Sequence, residues 1–209
     1  MSYYNQKLTF VLALVCALFL TTGASAQELT SNGGFETGDT SDWEDLTTPP
    51  QTFSITSDAN SGSWAAEIFN NVDSGAAAVV KQANIGVGTV SPGDLIEISF
   101  AAKGSFAQGG VAFAEFFSEL DGGGTSSSEI LSGGPLALTD QYQDFSFTTT
   151  AGPDVSGGVT LQFNAATGAV PGSTSVLFID DASVRIVPEP TSIALFGLGC
   201  LGALVRRRR

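Results

Sequence analysis

The chain has 209 residues, 25 of them glycine, and a formal net charge of −13, which leaves room for one ordinary domain of ~100–150 residues with short flanking segments. Between Gln27 and Val187 three cations face 20 acids, a charge of about −17, which excludes an ordinary nucleic-acid-binding surface. The chain has no histidine, and its two cysteines, Cys16 and Cys200, lie in terminal apolar runs. The middle of the chain therefore lacks the commonest general base, a disulfide and a thiolate metal site.

Residues 1–26 have the pattern of a secretory signal peptide. Lys7 precedes the apolar run LTFVLALVCALFL, and the small residues Ala24 and Ala26 form a cleavage site. We expect the mature protein to begin at Gln27. An uncleaved membrane anchor is the alternative interpretation of this segment.

Residues 27–187 contain short runs in which apolar and polar residues alternate, separated by glycine-rich and serine-rich stretches. In DLIEISFAA, Ile96, Ile98 and Phe100 lie on one face, with Glu97 and Ser99 on the other. This period of two predicts an all-β domain, a sandwich or a barrel. The same alternation occurs at Phe145 and Phe147, at Val159, Leu161 and Phe163, and at Val176, Phe178, Ala182, Val184 and Ile186.

Asp180 interrupts the apolar face of the last of these strands. It shares the register of Phe178 and Ala182, which predicts that it points inward, and a buried carboxylate is costly unless it is paired or binds a metal. Oxygen ligands around Ca²⁺ would satisfy it. The alternative is a strand bend at which Asp180 accepts backbone N–H groups, and both interpretations stay open.

The end of the chain, residues 188–209, combines an apolar run with a cluster of cations. The 13 residues from Ile193 to Val205 would cover about 20 Å as a helix, less than the ~30 Å of a bilayer core. The arginines that follow would keep the tail in the cytoplasm. We therefore expect a short C-terminal transmembrane helix, because a buried helix would leave the cationic cluster unexplained. That cluster consists of Arg206, Arg207, Arg208 and Arg209.

The order of Pro188, Glu189 and Pro190, a short glycine-bearing apolar run and terminal arginines resembles a PEP-CTERM sorting signal. This resemblance implies recognition by an exosortase, a membrane-embedded transpeptidase of Gram-negative bacteria. It further implies transient anchoring in the inner membrane, removal of the tail, and delivery to the cell surface or extracellular matrix, often alongside exopolysaccharide in a biofilm.

Four segments resemble, in order, the framework of jelly-roll carbohydrate-binding modules of the galactose-binding-like group. These segments are LTSNGGFETGDTSDW, SGSWAAEI, QYQDFSFTTTA and FIDDASV. The resemblance implies a single jelly-roll β-sandwich with a structural Ca²⁺ held by Glu36 and Asp180, with Asp181 as a less favoured neighbour. The fold does not by itself transfer sugar binding.

Aromatic and amide side chains are the residue types from which sugar sites are built. Trp43, Trp64 and Tyr142 are the aromatic candidates for ligand contact, although all three fall in framework segments, where an aromatic more often packs in the core. Nothing in the sequence distinguishes among the amide candidates, which are Asn70, Asn71, Gln108 and Gln162.

Together these patterns predict a signal peptide at 1–26, a β-sandwich at 27–187 and a sorting segment at 188–209. We expect a non-catalytic, exported protein that binds or organises extracellular polysaccharide. A structural matrix or adhesion protein without sugar binding is one alternative. A small glycan-active enzyme is the other, although no catalytic motif with the required spacing is present.

Overall fold

The computed structural model describes residues 26–188, and Gln27–Val187 forms one compact unit. The predicted signal peptide and sorting segment lie outside the described residues, apart from Ala26 and Pro188. Every ladder in the described part is antiparallel, and the strands form two sheets. The strands are β1 (Gln27–Glu28), β2 (Glu44–Asp45), β3 (Thr52–Thr56), β4 (Ala65–Asn70), β5 (Ala77–Ile85), β6 (Leu95–Ala107), β7 (Val111–Glu119), β8 (Thr125–Ile130), β9 (Gln143–Thr150), β10 (Val159–Ala166) and β11 (Thr174–Val187).

The two sheets face each other as a sandwich. The six-stranded sheet has the order β3-β4-β11-β6-β9, with β1 paired to β11, and the five-stranded sheet has the order β2-β5-β10-β7-β8. This arrangement confirms the predicted all-β sandwich, because one face of each sheet is buried against the other.

The core contains the residues that the alternation places on the inner faces. Ile96, Ile98 and Phe100 of β6 are buried, as are Leu161 and Phe163 of β10. The Phe100 and Phe163 rings meet edge to face across the sandwich with centroids 4.9 Å apart, a geometry that aromatic pairs favour. The two sheets are thus joined at their centre by aromatic packing.

Strand β11 departs from the predicted alternation. Its pairing with β6 shifts register between Asp180 and Ser183, and an extra residue of this kind switches the side chains that follow to the opposite face. Before the shift, Leu177 and Ile179 are buried, while Phe178 is half-buried on the outer face. The prediction that Val176 and Phe178 point into the core was therefore wrong. The prediction that Ala182, Val184 and Ile186 face the core was right, because Ala182 lies within the shift and the other two residues follow it.

Glu28 joins the first strand to the last. Its Oε1 accepts the N–H groups of Thr30 at 3.0 Å and Val184 at 3.1 Å, and its Oε2 accepts Ser183 Oγ and Arg185 Nε at 2.5 and 2.8 Å. Partial burial alone would raise the pKa of this carboxyl. The bonds from Ser183, Thr30 and Arg185 outweigh burial and lower the pKa to about 2.

Replacing Glu28 by Gln should lower stability at neutral pH. A carboxyl with a lowered folded-state pKa stabilises the fold above its unfolded-state pKa, near 4.5, and this contribution is lost as the pH falls towards 2. Because the Glu28 side chain is partly exposed, we expect the free energy of unfolding to fall by about 1 kcal/mol at pH 7. Urea titrations between pH 7 and pH 2 measure the difference between wild type and variant, which should shrink below pH 4.5. A difference that does not change with pH, or an equal loss in the control Glu119→Gln, would contradict this role.

Candidate functional site

Asp180 is buried at the register shift of β11, with no side-chain exposure. Its Oδ2 accepts the backbone N–H groups of Asn60 at 2.8 Å and Ser61 at 3.0 Å, and its Oδ1 accepts the N–H of Asp181 at 2.8 Å. Burial raises the pKa of Asp180, although these backbone hydrogen bonds oppose the shift. The observed contacts are those of the alternative interpretation, in which Asp180 accepts backbone N–H groups at a bend.

Asp181 and Glu36 bind the same loop. Asp181 accepts Ser61 Oγ at 2.7 Å and Asn60 Nδ2 at 2.9 Å. Glu36 Oε1 accepts the backbone N–H groups of residues 63–64 at 2.8 and 2.9 Å. We call Glu36, Asp180, Asp181 and loop 60–64 the acid clasp. The acid clasp contacts β11 between Ile179, where the pairing with β4 ends, and Arg185, where the pairing with β1 begins.

The acid clasp brings together all three predicted calcium ligands. A Cβ built on Gly34 would lie 3.8 Å from Asp180 Oδ1, from Asp181 Oδ1 and from Glu36 Cγ, so the three acids surround this glycine. Within residues 26–188, however, no three His, Cys, Asp or Glu side chains are arranged so that they could hold a metal ion. Most of these carboxylate oxygens instead accept hydrogen bonds from loop 60–64, and calcium binding stays a prediction.

Gly33 positions the clasp against β11. Its carbonyl accepts the N–H of Ala182 at 2.9 Å, and a Cβ at this position would lie 1.8 Å from the carbonyl oxygen of Ala182. Only glycine allows the two backbones to approach this closely.

Gly33→Ala should destabilise the protein by roughly 3 kcal/mol or more, because neither backbone can move without breaking the contact between residues 33 and 182. Chemical denaturation measures this loss. Gly134→Ala is the matched control, since a Cβ there meets nothing within 4 Å. Equal stability of the two variants would show that the close approach is not required.

The two tryptophan candidates have different environments. Trp43 is buried in the core, stacked on Phe35 at 5.4 Å and tilted against Phe163 at 5.9 Å, and its Nε1 donates to the carbonyl of Asn32. Trp43 is therefore a core residue rather than a sugar platform. Trp64 is 37% exposed beside the acid clasp, so its ring is available at the surface.

Tyr142 lies on the outer side of the six-stranded sheet. Its hydroxyl donates to the carbonyl of Asp58 at 2.6 Å, and Lys103 Nζ lies 4.7 Å from its ring centroid and 4.9 Å from that of Phe178. Burial, followed by the charges of Asp180, Asp58 and Asp181, raises the pKa of the Tyr142 hydroxyl. The Tyr142 hydroxyl thus binds the loop that carries Asp58, and Lys103 covers one side of the Tyr142 ring.

A row of side chains crosses the outer face of the five-stranded sheet. Register pairs place these residues opposite one another on successive strands, alternating with the buried core positions of the same strands. At about 4.8 Å between strands, a row of five spans about 19 Å. This outer row consists of Glu44, Lys81, Gln162, Glu115 and Ile130.

Hydrogen bonds order the centre of the outer row. Glu115 Oε2 accepts Gln162 Nε2 at 2.8 Å and also Asn164 Nδ2. The half-buried rings of Phe113 and Phe117 lie on the same face of β7, one on each side of Glu115. The result is a carboxylate flanked by two aromatic rings on β7 and hydrogen-bonded to two planar amides on the neighbouring β10.

This chemistry suits the hydroxyl-rich surface of a sugar. Carboxylate and amide groups accept and donate hydrogen bonds in one plane, as sugar hydroxyls require. Aromatic rings provide an apolar surface for the C–H groups of a sugar ring. Gln162 was among the amide candidates predicted from the sequence, whereas Glu115 and Asn164 were not predicted. The alternation in VAFAEFFSE, which sets Phe113, Glu115 and Phe117 opposite Ala112, Ala114 and Phe116, was the available signal.

Solved structures define the class to which this fold belongs. The xylan-binding domain CBM22-1 of Paenibacillus barcinonensis Xyn10C has a TM-score of 0.55 and 16% identity, covering 80% of this chain and 99% of that domain. TmCBM61, solved with beta-1,4-galactotriose, has a TM-score of 0.50 and 18% identity, covering 77% and 99%. These likenesses show the jelly-roll fold of carbohydrate-binding modules.

A third structure shares the fold within a much larger protein. The enzymatically active domain of tailspike protein 4 from bacteriophage CBA120 has a TM-score of 0.58 and 16% identity, covering 77% of this chain. The present chain spans only 21% of that tailspike chain.

The last residues of the chain match a known sorting motif. Residues 187–209 match the PEP-CTERM protein-sorting motif. This motif indicates an exported protein that an exosortase sorts at the membrane and then the cell surface. The described residues ahead of it form a sandwich with the fold of a carbohydrate-binding module. A search of curated protein sequences gave no significant match. Residues 26–188 include no helix with the length and hydropathy needed to span a membrane.

Proposed function

We propose that this protein is a non-catalytic surface module that binds extracellular polysaccharide across the outer face of its five-stranded sheet. The observation that carries the proposal is the hydrogen-bonded group of Glu115, Gln162 and Asn164, in which Glu115 is flanked along β7 by Phe113 and Phe117. In the proposed sequence of events, the sorting segment anchors the chain transiently in the inner membrane of a Gram-negative cell. An exosortase then removes that segment, and the sandwich reaches the surface.

The charge of the domain favours a neutral glycan. Each of the three cations between Gln27 and Val187 is already paired: Lys81 with Glu44, Lys103 with Asp58 and Arg185 with Glu28. A polysaccharide rich in carboxylate or sulfate would meet no unpaired cation on this part of the chain, and it would face a net negative surface.

The separation of carboxylates on this face argues against hydrolysis. Glu44 lies three strand spacings from Glu115 in the outer row, about 14 Å away. Glu119 is four residues along β7, about 13 Å from Glu115. Glycosidases of the common kind place their two carboxyl groups roughly 5–9.5 Å apart, so Glu115 has no partner on this face for that chemistry.

Glu115→Gln should weaken glycan binding about tenfold or more, because a charged acceptor that orders two amides is lost. Binding is measured by affinity electrophoresis against a panel of neutral and acidic polysaccharides. Glu67→Gln is the control, since it makes the same change in charge on β4 of the other sheet.

Equal binding by wild type and Glu115→Gln would place the site elsewhere on the domain. Failure of a folded wild-type protein to bind any glycan in the panel would favour the structural matrix protein instead. Release of reducing ends from any polysaccharide would overturn the non-catalytic assignment.

We also propose that Ca²⁺ binds at Glu36 and Asp180, with Asp181 beside them. Three carboxylates surround Gly34, and no Lys or Arg within residues 26–188 forms an ion pair with any of them. A divalent cation would offset this charge and hold loop 60–64 against β11 by oxygen coordination.

Adding 1 mM Ca²⁺ after chelation should raise the Tm by several degrees, because an ion that binds only the folded state stabilises it by mass action. Differential scanning calorimetry of wild type and Glu36→Gln measures the effect, which should shrink in the variant. An identical Tm for wild type in Ca²⁺ and in chelator would leave the acid clasp as a metal-free contact.

A further inference from the structure

The folded domain ends where the sorting motif begins. Val187 is the last residue of β11, where it pairs with Leu95 of β6, and it is also the first residue of the matched motif. Pro188 follows directly and is half-buried. No spacer therefore separates the sandwich from the residues that the sorting enzyme must reach.

An apolar groove opens at the same end of the sandwich. It lies between loop 86–94, which joins β5 to β6, and loop 151–158, which joins β9 to β10. The loops are tied by two backbone bonds, from the Gly93 N–H to the Ala151 carbonyl at 3.0 Å and from the Ala151 N–H to the Asp94 carbonyl at 2.9 Å. The groove has a volume of about 430 Å³, and its apolar lining consists of Val87, Val90, Pro92, Pro153 and Val155.

The groove and the exit of the chain are close together. Pro92 is three residues from Leu95, at most about 10 Å, and Leu95 lies about 5 Å across the ladder from Val187. Val87, at the rim, is 55% exposed, so its apolar side chain is accessible to a partner. An enzyme that binds the chain directly after Val187 would therefore lie next to this rim.

We propose that this groove is a docking surface for the exosortase, and that the enzyme engages the folded sandwich together with the sorting motif. The matching surface on the enzyme is apolar with a cationic border, because Asp154 lines the groove and Asp94 belongs to loop 86–94 on its other side. The inference rests on the proposed processing by an exosortase and adds a second contact to it.

The first test is the processing of the full chain co-expressed with an exosortase, followed as the fraction of cleaved protein over time by mass spectrometry. Val87→Asp should slow cleavage at least fivefold. Val170→Asp, which places the same change at a 43% exposed valine in the loop before β11, should leave the rate within twofold. Melting of both purified variants checks that the fold is kept.

A second variant separates docking from simple crowding. Six Gly/Ser residues inserted between Val187 and Pro188 add about 13 Å of flexible chain. Docking predicts slower cleavage, because the groove and the motif are no longer held together. If the sandwich instead hinders access of the enzyme to the motif, the inserted linker should make cleavage faster.

Faster cleavage of the linker variant, or a normal rate for Val87→Asp, would overturn the docking proposal and leave the sorting assignment intact. A wild-type chain that the exosortase does not cleave would overturn the sorting assignment, and the docking surface with it.

Discussion

The register shift in β11 is the constraint on which the rest of the sandwich depends. This strand pairs with β4, β6 and β1, and the shift between Asp180 and Ser183 decides which of its side chains enter the core. At the same point the neighbour on one side changes from β4 to β1, leaving a gap that the acid clasp fills. Backbone N–H groups of loop 60–64 offset part of the cost of burying Asp180. Segments from three parts of the chain therefore meet at one irregular position.

The sandwich keeps its structural and its proposed binding chemistry on different surfaces. The acid clasp and the contact between Lys103 and Tyr142 belong to the six-stranded sheet, where they hold loops in place. The outer row belongs to the five-stranded sheet, where Glu115, Gln162 and Asn164 are ordered among themselves and hold no loop. A preordered polar group on a rigid sheet loses little entropy on binding, which favours recognition of a sugar chain.

The sequence predicted the sheets better than the site. Alternation identified Ile96, Ile98, Leu161 and Phe163 as core residues because a regular strand has a strict period of two. It failed for Phe178, because one extra residue at the shift reverses the faces; the sign of this shift in the sequence was Asp180, a carboxylate in an apolar register. The resemblance to the carbohydrate-binding framework predicted that Glu36, Asp180 and Asp181 lie close together, and the structure places all three around Gly34. The group at Glu115 depends on the register of β7 against β10, a long-range pairing that no single strand contains.

Backbone amide chemical shifts test most directly whether a glycan binds across the five-stranded sheet. The protein is titrated with the neutral glycan that retards it most strongly in affinity electrophoresis. Binding at this face should give saturable shifts that cluster at residues 79–81, 113–117 and 162–164, with those of loop 60–64 unchanged. Saturable shifts that cluster instead on the outer face of the six-stranded sheet, around Phe69 and Phe178, would contradict it.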